Sequence, residues 1–181
     1  MKGVVFVELL RMAETVLGEE AVDQVLDQTE LQSNGAFSAV GNYPCRELLS
    51  LVDAFGERLG APPEALQVKF GHWMFSRFVE GYPEFFDGKK DAFEMLEAIE
   101  GEVHVEVRKL YPEVELPSFA TNRPLPSQLR MVYESDRPLM HFCLGLIEAC
   151  IAHFEDQADI QMVEQSDPRK FRAEFLIEKA A

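Results

Sequence analysis

The sequence predicts an α+β protein, in which a helical N-terminal part precedes a C-terminal part with an antiparallel sheet flanked by helices. Apolar residues recur at helical spacing through most of the first 110 residues. Pro112, Pro117, Pro124 and Pro126 then exclude a long helix in the middle of the chain. Two late segments alternate apolar and polar residues, as strands do. Helices followed by a cluster of strands are typical of the α+β class.

Glycines and prolines bound the predicted helices. Gly18 ends the first helix and Gly60 the third, whereas Pro44 and Pro138 begin two others. Residues 31–43 are rich in glycine, asparagine and serine and are predicted to form a loop. Helical periodicity covers residues 3–17, 19–28, 44–59, 62–80, 91–110 and 138–157.

The predicted strands lie in the second half of the chain. In the last of them Phe171, Ala173, Phe175 and Ile177 would face one side. The chain has no internal repeat and no long linker, so we expect one domain over residues 1–181. The strands are predicted over residues 117–123, 128–135, 159–165 and 170–178.

The charge balance excludes several classes of partner. The chain has 17 basic and 32 acidic residues, a formal charge of −15. Such a surface repels nucleic-acid phosphates and anionic membranes, so we expect neither as a partner. No segment approaches the roughly 18 apolar residues of a membrane span.

The three cysteines, Cys45, Cys143 and Cys150, have no regular spacing. We expect reduced thiols in a cytoplasmic protein, with Cys143 and Cys150 buried.

The common catalytic signatures are missing from the sequence. It contains no H-E-x-x-H zinc motif, no G-x-S-x-G nucleophile elbow, no P-loop and no dinucleotide-binding glycine motif. A small hydrolase using Ser135 with His104 or His141 is the one enzymatic alternative, without supporting spacing. We therefore expect a protein that is not an enzyme.

Tyr133, Ser135 and Arg137 alternate at the end of a predicted strand. Residues two apart in a strand share a face, and phenol, hydroxyl and guanidinium all donate hydrogen bonds. Three donors in a row suit a ligand with spaced carboxylates or phosphates. The alternative is a strand with one polar, solvated face.

The segment around His104 is compatible with either a helix or a strand. Read as a helix, it sits beside an apolar stripe, whereas flanking valines at 103 and 105 alternate as in a strand. The histidine is either structural or a neutral imidazole that ligates iron.

A second open question concerns the aromatic residues at helical spacing, which either fill a core or line a flat apolar cofactor. These are Phe70, Trp73, Phe75 and Phe78.

Taken together, these features resemble the haem-nitric oxide/oxygen binding (H-NOX) family, which includes the haem domain of soluble guanylyl cyclase and bacterial stand-alone gas sensors. The resemblance covers nearly the whole chain and depends on order, spacing and length at once. It is carried by Met1-Lys2-Gly3, His104, Pro117, Tyr133-x-Ser135-x-Arg137 and residues 144–147.

The resemblance implies roles for these residues. His104 would be the proximal ligand of a b-type haem, and Pro117 would press on the proximal face. Tyr133, Ser135 and Arg137 would hold the two propionates. A distal helical part, about 1–60, and a proximal part with the sheet, about 61–181, would enclose the haem, and His104 would lie on a helix.

The pocket opposite His104 departs from the oxygen-binding members. Their distal tyrosine, which donates to bound O₂, corresponds to Phe142 here. A missing charge-assisted hydrogen bond costs about 1.5–3 kcal/mol, roughly ten- to hundred-fold in affinity. We therefore expect NO binding, possible CO binding and no stable O₂ binding, unless Trp73, His72 or His141 turns inward. The other expected pocket walls are Val5, Leu9, Met74, Phe78 and Leu144.

By the same resemblance, the chain would be a ferrous-haem NO sensor. NO would break the bond between iron and His104, the haem would relax away from Pro117, and the proximal helix would carry the signal. Because the chain ends at residue 181, we expect a separate effector, either a sensor histidine kinase or a cyclic-di-GMP cyclase or phosphodiesterase. We expect a monomer, and no zinc site in residues 155–181, which lack cysteine and histidine. The alternative is a haem-free interaction domain of the same fold.

Overall fold

The computed structural model describes residues 1–165 and 169–180. Within these ranges it confirms the α+β class, and no helix is long and apolar enough to cross a membrane. The helices are α1 (Gly3–Leu17), α2 (Glu19–Gln28), α3 (Cys45–Leu59), α4 (Pro63–Gly81), α5 (Ala92–Ala98), α6 (His104–Leu110) and α7 (Met140–His153). The strands are β1 (Ser118–Leu125), β2 (Gln128–Ser135), β3 (Ala158–Gln165) and β4 (Phe171–Lys179).

Several helices end or begin at the glycines and prolines that predicted their boundaries. Gly18 and Gly60 end α1 and α3 with φ of 83° and 64°, a backbone region that L side chains rarely adopt. Pro63 occupies the first position of α4, where its missing N–H costs no hydrogen bond. Short-range backbone chemistry therefore fixes these boundaries.

The four strands form one antiparallel sheet in the order β1-β2-β4-β3. In the middle of the sheet Tyr133 on β2 pairs with Phe119 on β1 and with Ala173 on β4. On the inward face of β4, Ala173, Phe175 and Ile177 are fully buried. Phe171 begins the same strand but is 43% exposed, because it lies at the strand's outer end.

The apolar side chains form two cores. The helical core is contributed mainly by α1, α2, α3 and α4, and the sheet core by the inward face of the sheet with α5 and α7. Helix α4 belongs to both, with Leu66, Phe70 and Met74 in the helical core and Phe75 in the sheet core. The helical core thus includes side chains of α4, beyond residue 60. Cys143 and Cys150 are buried in the sheet core, as predicted.

Helices α4 and α7 cross at two glycines. A Cβ on Gly71 would overlap the Phe142 carbonyl oxygen, and one on Gly145 would overlap the Val68 carbonyl oxygen. The two backbones are therefore in direct contact. Leu146, next to this crossing, packs against both cores.

The predicted periodic segment 91–110 is not one continuous α-helix. A π-helical turn, Ile99–Val103, separates α5 from α6, and α6 begins at His104. Single π-helical turns are rare and occur frequently at functional sites.

Asp91 joins the start of α5 to the end of β4. Its side chain accepts a hydrogen bond from the Glu94 N–H at 2.8 Å and lies 2.9 Å from the Lys179 ammonium. Burial opposes ionisation of Asp91, but the Glu94 N–H, Lys179 and Arg123 outweigh it and lower the pKa of Asp91. A carboxyl with a lowered pKa stabilises the fold above its unfolded pKa, and this contribution is lost as pH falls through the folded pKa.

We expect Asp91→Asn to keep the hydrogen bond from the Glu94 N–H that caps the start of α5, but to lose the ion pair with Lys179. Stability should fall at pH 7 and change less than in the wild type as pH drops below about 4. Asp91→Ala should lose about 1 kcal/mol more, since it also removes the cap. Urea unfolding at pH 7 and pH 3 measures both, with Asp87→Asn, an exposed aspartate, as the control. An unchanged pH dependence in Asp91→Asn would contradict the assignment.

Candidate functional site

His104 is buried at the first position of α6, with 8% of its surface exposed. Its Nδ1 lies 3.1 Å from Oε2 of Glu100, one turn earlier, and its ring packs 5.6 Å from the Phe119 ring. Among the described residues its Nε2 makes no hydrogen bond. This nitrogen is therefore available to a ligand.

The protonation state of His104 suits metal binding. Burial lowers the pKa of His104, and the Glu100 carboxylate opposes this only in part. A neutral imidazole that donates from Nδ1 to a carboxylate has its lone pair on Nε2, the form in which histidine binds metals.

Glu100 is a site residue that the sequence analysis missed. Its Oε2 also accepts a hydrogen bond from the Phe119 backbone N–H at 3.1 Å, and its Oε1 accepts one from Arg108 at 2.9 Å. Burial opposes ionisation of Glu100, but the hydrogen bonds from Arg108, His104 and Phe119 together lower its pKa. The Glu100–His104 spacing of four residues was the available signal, but it is informative only in a helix.

Tyr133, Ser135 and Arg137 come together where β2 ends. The Tyr133 hydroxyl donates to the Arg137 carbonyl at 2.8 Å, and the Arg137 N–H donates to the Ser135 hydroxyl oxygen at 3.1 Å. Burial raises the pKa of Tyr133 to about 12, so the phenol stays a neutral donor. The Phe119 ring, 5.9 Å from that of Tyr133, connects this cluster to His104.

The Arg137 guanidinium binds a carboxylate within the chain. It donates to the Glu115 backbone carbonyl at 2.7 Å and to the Glu115 carboxylate at 2.6 Å. The Glu115 side chain is 82% exposed, whereas that of Arg137 is 15% exposed. Arg137 is thus mostly enclosed, and its guanidinium is of the kind that pairs with carboxylates. Glu115 is another residue that sequence reasoning missed.

The N-terminus lies near this cluster. The Met1 ammonium donates to the Tyr43 carbonyl at 2.8 Å, and burial together with the nearby Arg137 charge lowers its pKa. Gly3 is buried where a Cβ would overlap the Ser38 carbonyl oxygen. Close backbone packing therefore accounts for glycine at position 3.

Pro117 and the expected pocket walls are placed as follows. Pro117 is half-buried and immediately precedes β1, the strand that carries Phe119. Five of the six pocket positions belong to the helical core or pack against it: Val5, Leu9, Met74, Phe78 and Phe142. Leu144 packs against the sheet core instead, whereas Leu146 contacts both cores.

The Haem-NO-binding family matches residues 2–162, most of the chain. The chain belongs to this family, the H-NOX proteins. Its fold is similar to that of the unliganded Fe(II) H-NOX protein from K. algicida, with 35% identity and a TM-score of 0.91 over 100% of this chain and 97% of that one.

Two further H-NOX structures show the same likeness. The Shewanella woodyi protein, in the Fe(II)CO state with IWP-051 bound, has 36% identity and a TM-score of 0.81, covering 99% of this chain and 95% of that one. The S. oneidensis protein, in the Fe(II)NO state, has 25% identity and a TM-score of 0.85 over 100% of both chains. No curated protein sequence matches the chain significantly.

The donor set of this H-NOX chain fits haem. His104 offers one unpaired imidazole nitrogen for iron. The Arg137 guanidinium pairs with the carboxylate of Glu115, and a haem propionate carries the same functional group. The expected pocket walls are apolar and lie in or against the two cores, as a flat apolar cofactor requires.

The polar side chains that could have supplied a distal donor have other partners in this H-NOX chain. The Trp73 indole N–H donates to the buried Glu8 carboxylate at 3.0 Å. The exposed His72 lies 2.7 Å from Glu148, and His141 has Glu164 at 3.9 Å. Trp73 packs against the helical core with its indole N–H engaged by Glu8, and the gas selectivity stays a prediction.

The hydrolase arrangement is not formed. Ser135 accepts from the Arg137 N–H, and no hydrogen bond among the described residues joins its hydroxyl to His104 or His141. Ser135 therefore has no histidine base within hydrogen-bonding reach.

Proposed function

We propose that this H-NOX chain is a gas sensor that binds NO at ferrous haem b and signals to a separate protein, without enzymatic activity of its own. The observation that carries the proposal is the buried His104, whose Nδ1 is held by Glu100 while Nε2 is free. Support comes from the S. oneidensis and Shewanella woodyi relatives, whose structures are in the Fe(II)NO and Fe(II)CO states.

Bound haem would supply a ferrous iron that can take a diatomic gas. His104 would hold the iron, and Tyr133, Ser135 and Arg137 would hold the propionates, with Arg137 exchanging Glu115 for a propionate. Pro117, just before β1, would contact the proximal face.

The selectivity for gas would follow from the side chains that we propose as the walls of the distal pocket. Val5, Leu9, Met74, Phe78 and Phe142 offer no hydrogen-bond donor, and Trp73 is engaged by Glu8. Bound O₂ carries partial negative charge and needs a donor, whereas NO needs one far less. We therefore propose that NO and CO bind and that O₂ does not bind stably.

The signal would leave through α6. His104 begins this short helix, so loosening its hold on the iron would change the position of the whole element. A two-state element biased by ligand energy is what a switch requires. We propose a cytoplasmic monomer whose effector is a sensor histidine kinase or a cyclic-di-GMP cyclase or phosphodiesterase, with no nucleic-acid or membrane partner.

The test is an absorption spectrum of the purified, reduced protein under argon, then with NO, then in air. We expect a ferrous haem band that changes with NO and shows no stable O₂ complex in air. The absence of any haem band after haem is added back would overturn the proposal and leave the haem-free interaction domain.

Phe142→Tyr tests the gas selectivity separately. The added hydroxyl supplies a donor, so O₂ affinity should rise roughly ten- to hundred-fold, with little change for CO. Gas titration of the ferrous protein measures this, and Phe142→Leu, which changes size without adding a donor, is the matched control. An equal change in both variants would mean that pocket volume, not the donor, sets selectivity.

A further inference from the structure

Glu100 is the residue in direct hydrogen-bonding contact with the His104 ring. It is the second residue of the π-helical turn Ile99–Val103. The π-helical turn and the first residue of α6 together place Oε2 of Glu100 3.1 Å from Nδ1 of His104.

The carboxylate is fixed from two other elements. Arg108, one turn further along α6, donates to Oε1 at 2.9 Å, and the Phe119 N–H on β1 donates to Oε2 at 3.1 Å. Glu100 therefore cannot turn away from His104 without breaking contacts to both α6 and β1. A surface carboxylate paired only with a flexible lysine, such as Glu106 with Lys109, has no comparable constraint.

An ionised acceptor on Nδ1 changes the donor properties of the opposite nitrogen. It fixes the tautomer with the proton on Nδ1, sets the ring orientation and makes Nε2 more basic. Losing such a partner typically reduces metal affinity or activity by about 10- to 100-fold.

We propose that Glu100 is the positioning residue that sets how strongly His104 holds the haem iron, and hence how readily NO releases His104. This inference rests on the proposed function, because it assigns a regulator to the same site. It makes the Glu100–His104 pair the feature that tunes the sensor's response threshold.

The test compares Glu100→Gln, Glu100→Met and the control Glu106→Gln. Glu106→Gln removes the same charge from a neighbouring position that does not contact His104. In the ferrous protein, the iron–histidine stretching frequency measured by resonance Raman should fall in Glu100→Gln and fall further in Glu100→Met. Haem should dissociate about tenfold faster or more from Glu100→Met.

A second readout does not depend on haem. Nitrogen NMR of His104 in the haem-free chain should show the Nδ1–H tautomer in the wild type and a mixture of tautomers in Glu100→Met. Glu100→Gln keeps the shape of the side chain and serves if Glu100→Met fails to fold. Frequencies and tautomers matching those of Glu106→Gln would overturn the proposal. A wild type that binds no haem but keeps the Nδ1–H tautomer would instead overturn the proposed function.

Discussion

His104→Ala is expected to lower the haem content of the purified protein by at least about tenfold. Removing a residue that only supports a metal ligand costs about 10- to 100-fold in metal affinity, so removing the ligand itself should cost no less. His72 and His153 are exposed at the surface, so neither is placed to replace it. The haem-to-protein ratio after reconstitution and gel filtration measures the loss.

The control for this variant is His72→Ala. His72 is paired with Glu148 at the surface, so its removal should leave haem content unchanged. Imidazole added to His104→Ala should restore part of the haem band, because it can enter the space left by the side chain and offer the same nitrogen. Full haem content and an unchanged NO response in His104→Ala would show that the ligand assignment is wrong.

The sequence predicted most element boundaries because local chemistry sets them. Gly18, Gly60 and Pro63 act through their own backbone conformations and need no tertiary information. The break before His104 was not predicted, because the apolar period continues through Ile99–Val103 while the hydrogen bonding changes. Phe171 was placed correctly by alternation along β4, but alternation does not say where the core ends.

The sequence named candidate site residues but not the residues that support them. The resemblance named His104 and the Tyr133, Ser135 and Arg137 cluster, which the fold brings together. Glu100 and Glu115 were missed, since each acts on a residue whose local conformation the sequence left open. With 32 acidic residues in the chain, no single carboxylate could be selected without the fold.

Gly145→Ala is expected to destabilise the protein, although alanine favours helices over glycine by about 1 kcal/mol. The new methyl group would overlap the Val68 carbonyl oxygen of α4 and would lie 2.8 Å from the Val68 carbonyl carbon. Backbone atoms cannot move aside by changing a rotamer, so α4 and α7 must separate. Overpacking of this kind costs about 1–3 kcal/mol and occasionally more. Urea unfolding measures the net loss.

The matched control is Gly81→Ala, at the end of α4, where a Cβ would meet nothing within 4 Å. That variant should be neutral or slightly stabilising, which separates helix propensity from the clash. Because Phe142 lies one turn before Gly145 on α7 and packs 5.1 Å from Phe70 on α4, separating the helices also moves a proposed pocket wall. Gly145→Ala should therefore change gas-binding rates as well as stability, whereas Gly81→Ala should change neither. A Gly145→Ala protein as stable as Gly81→Ala would mean that the crossing adjusts without cost, and the two cores would then be less rigidly joined than their contacts imply.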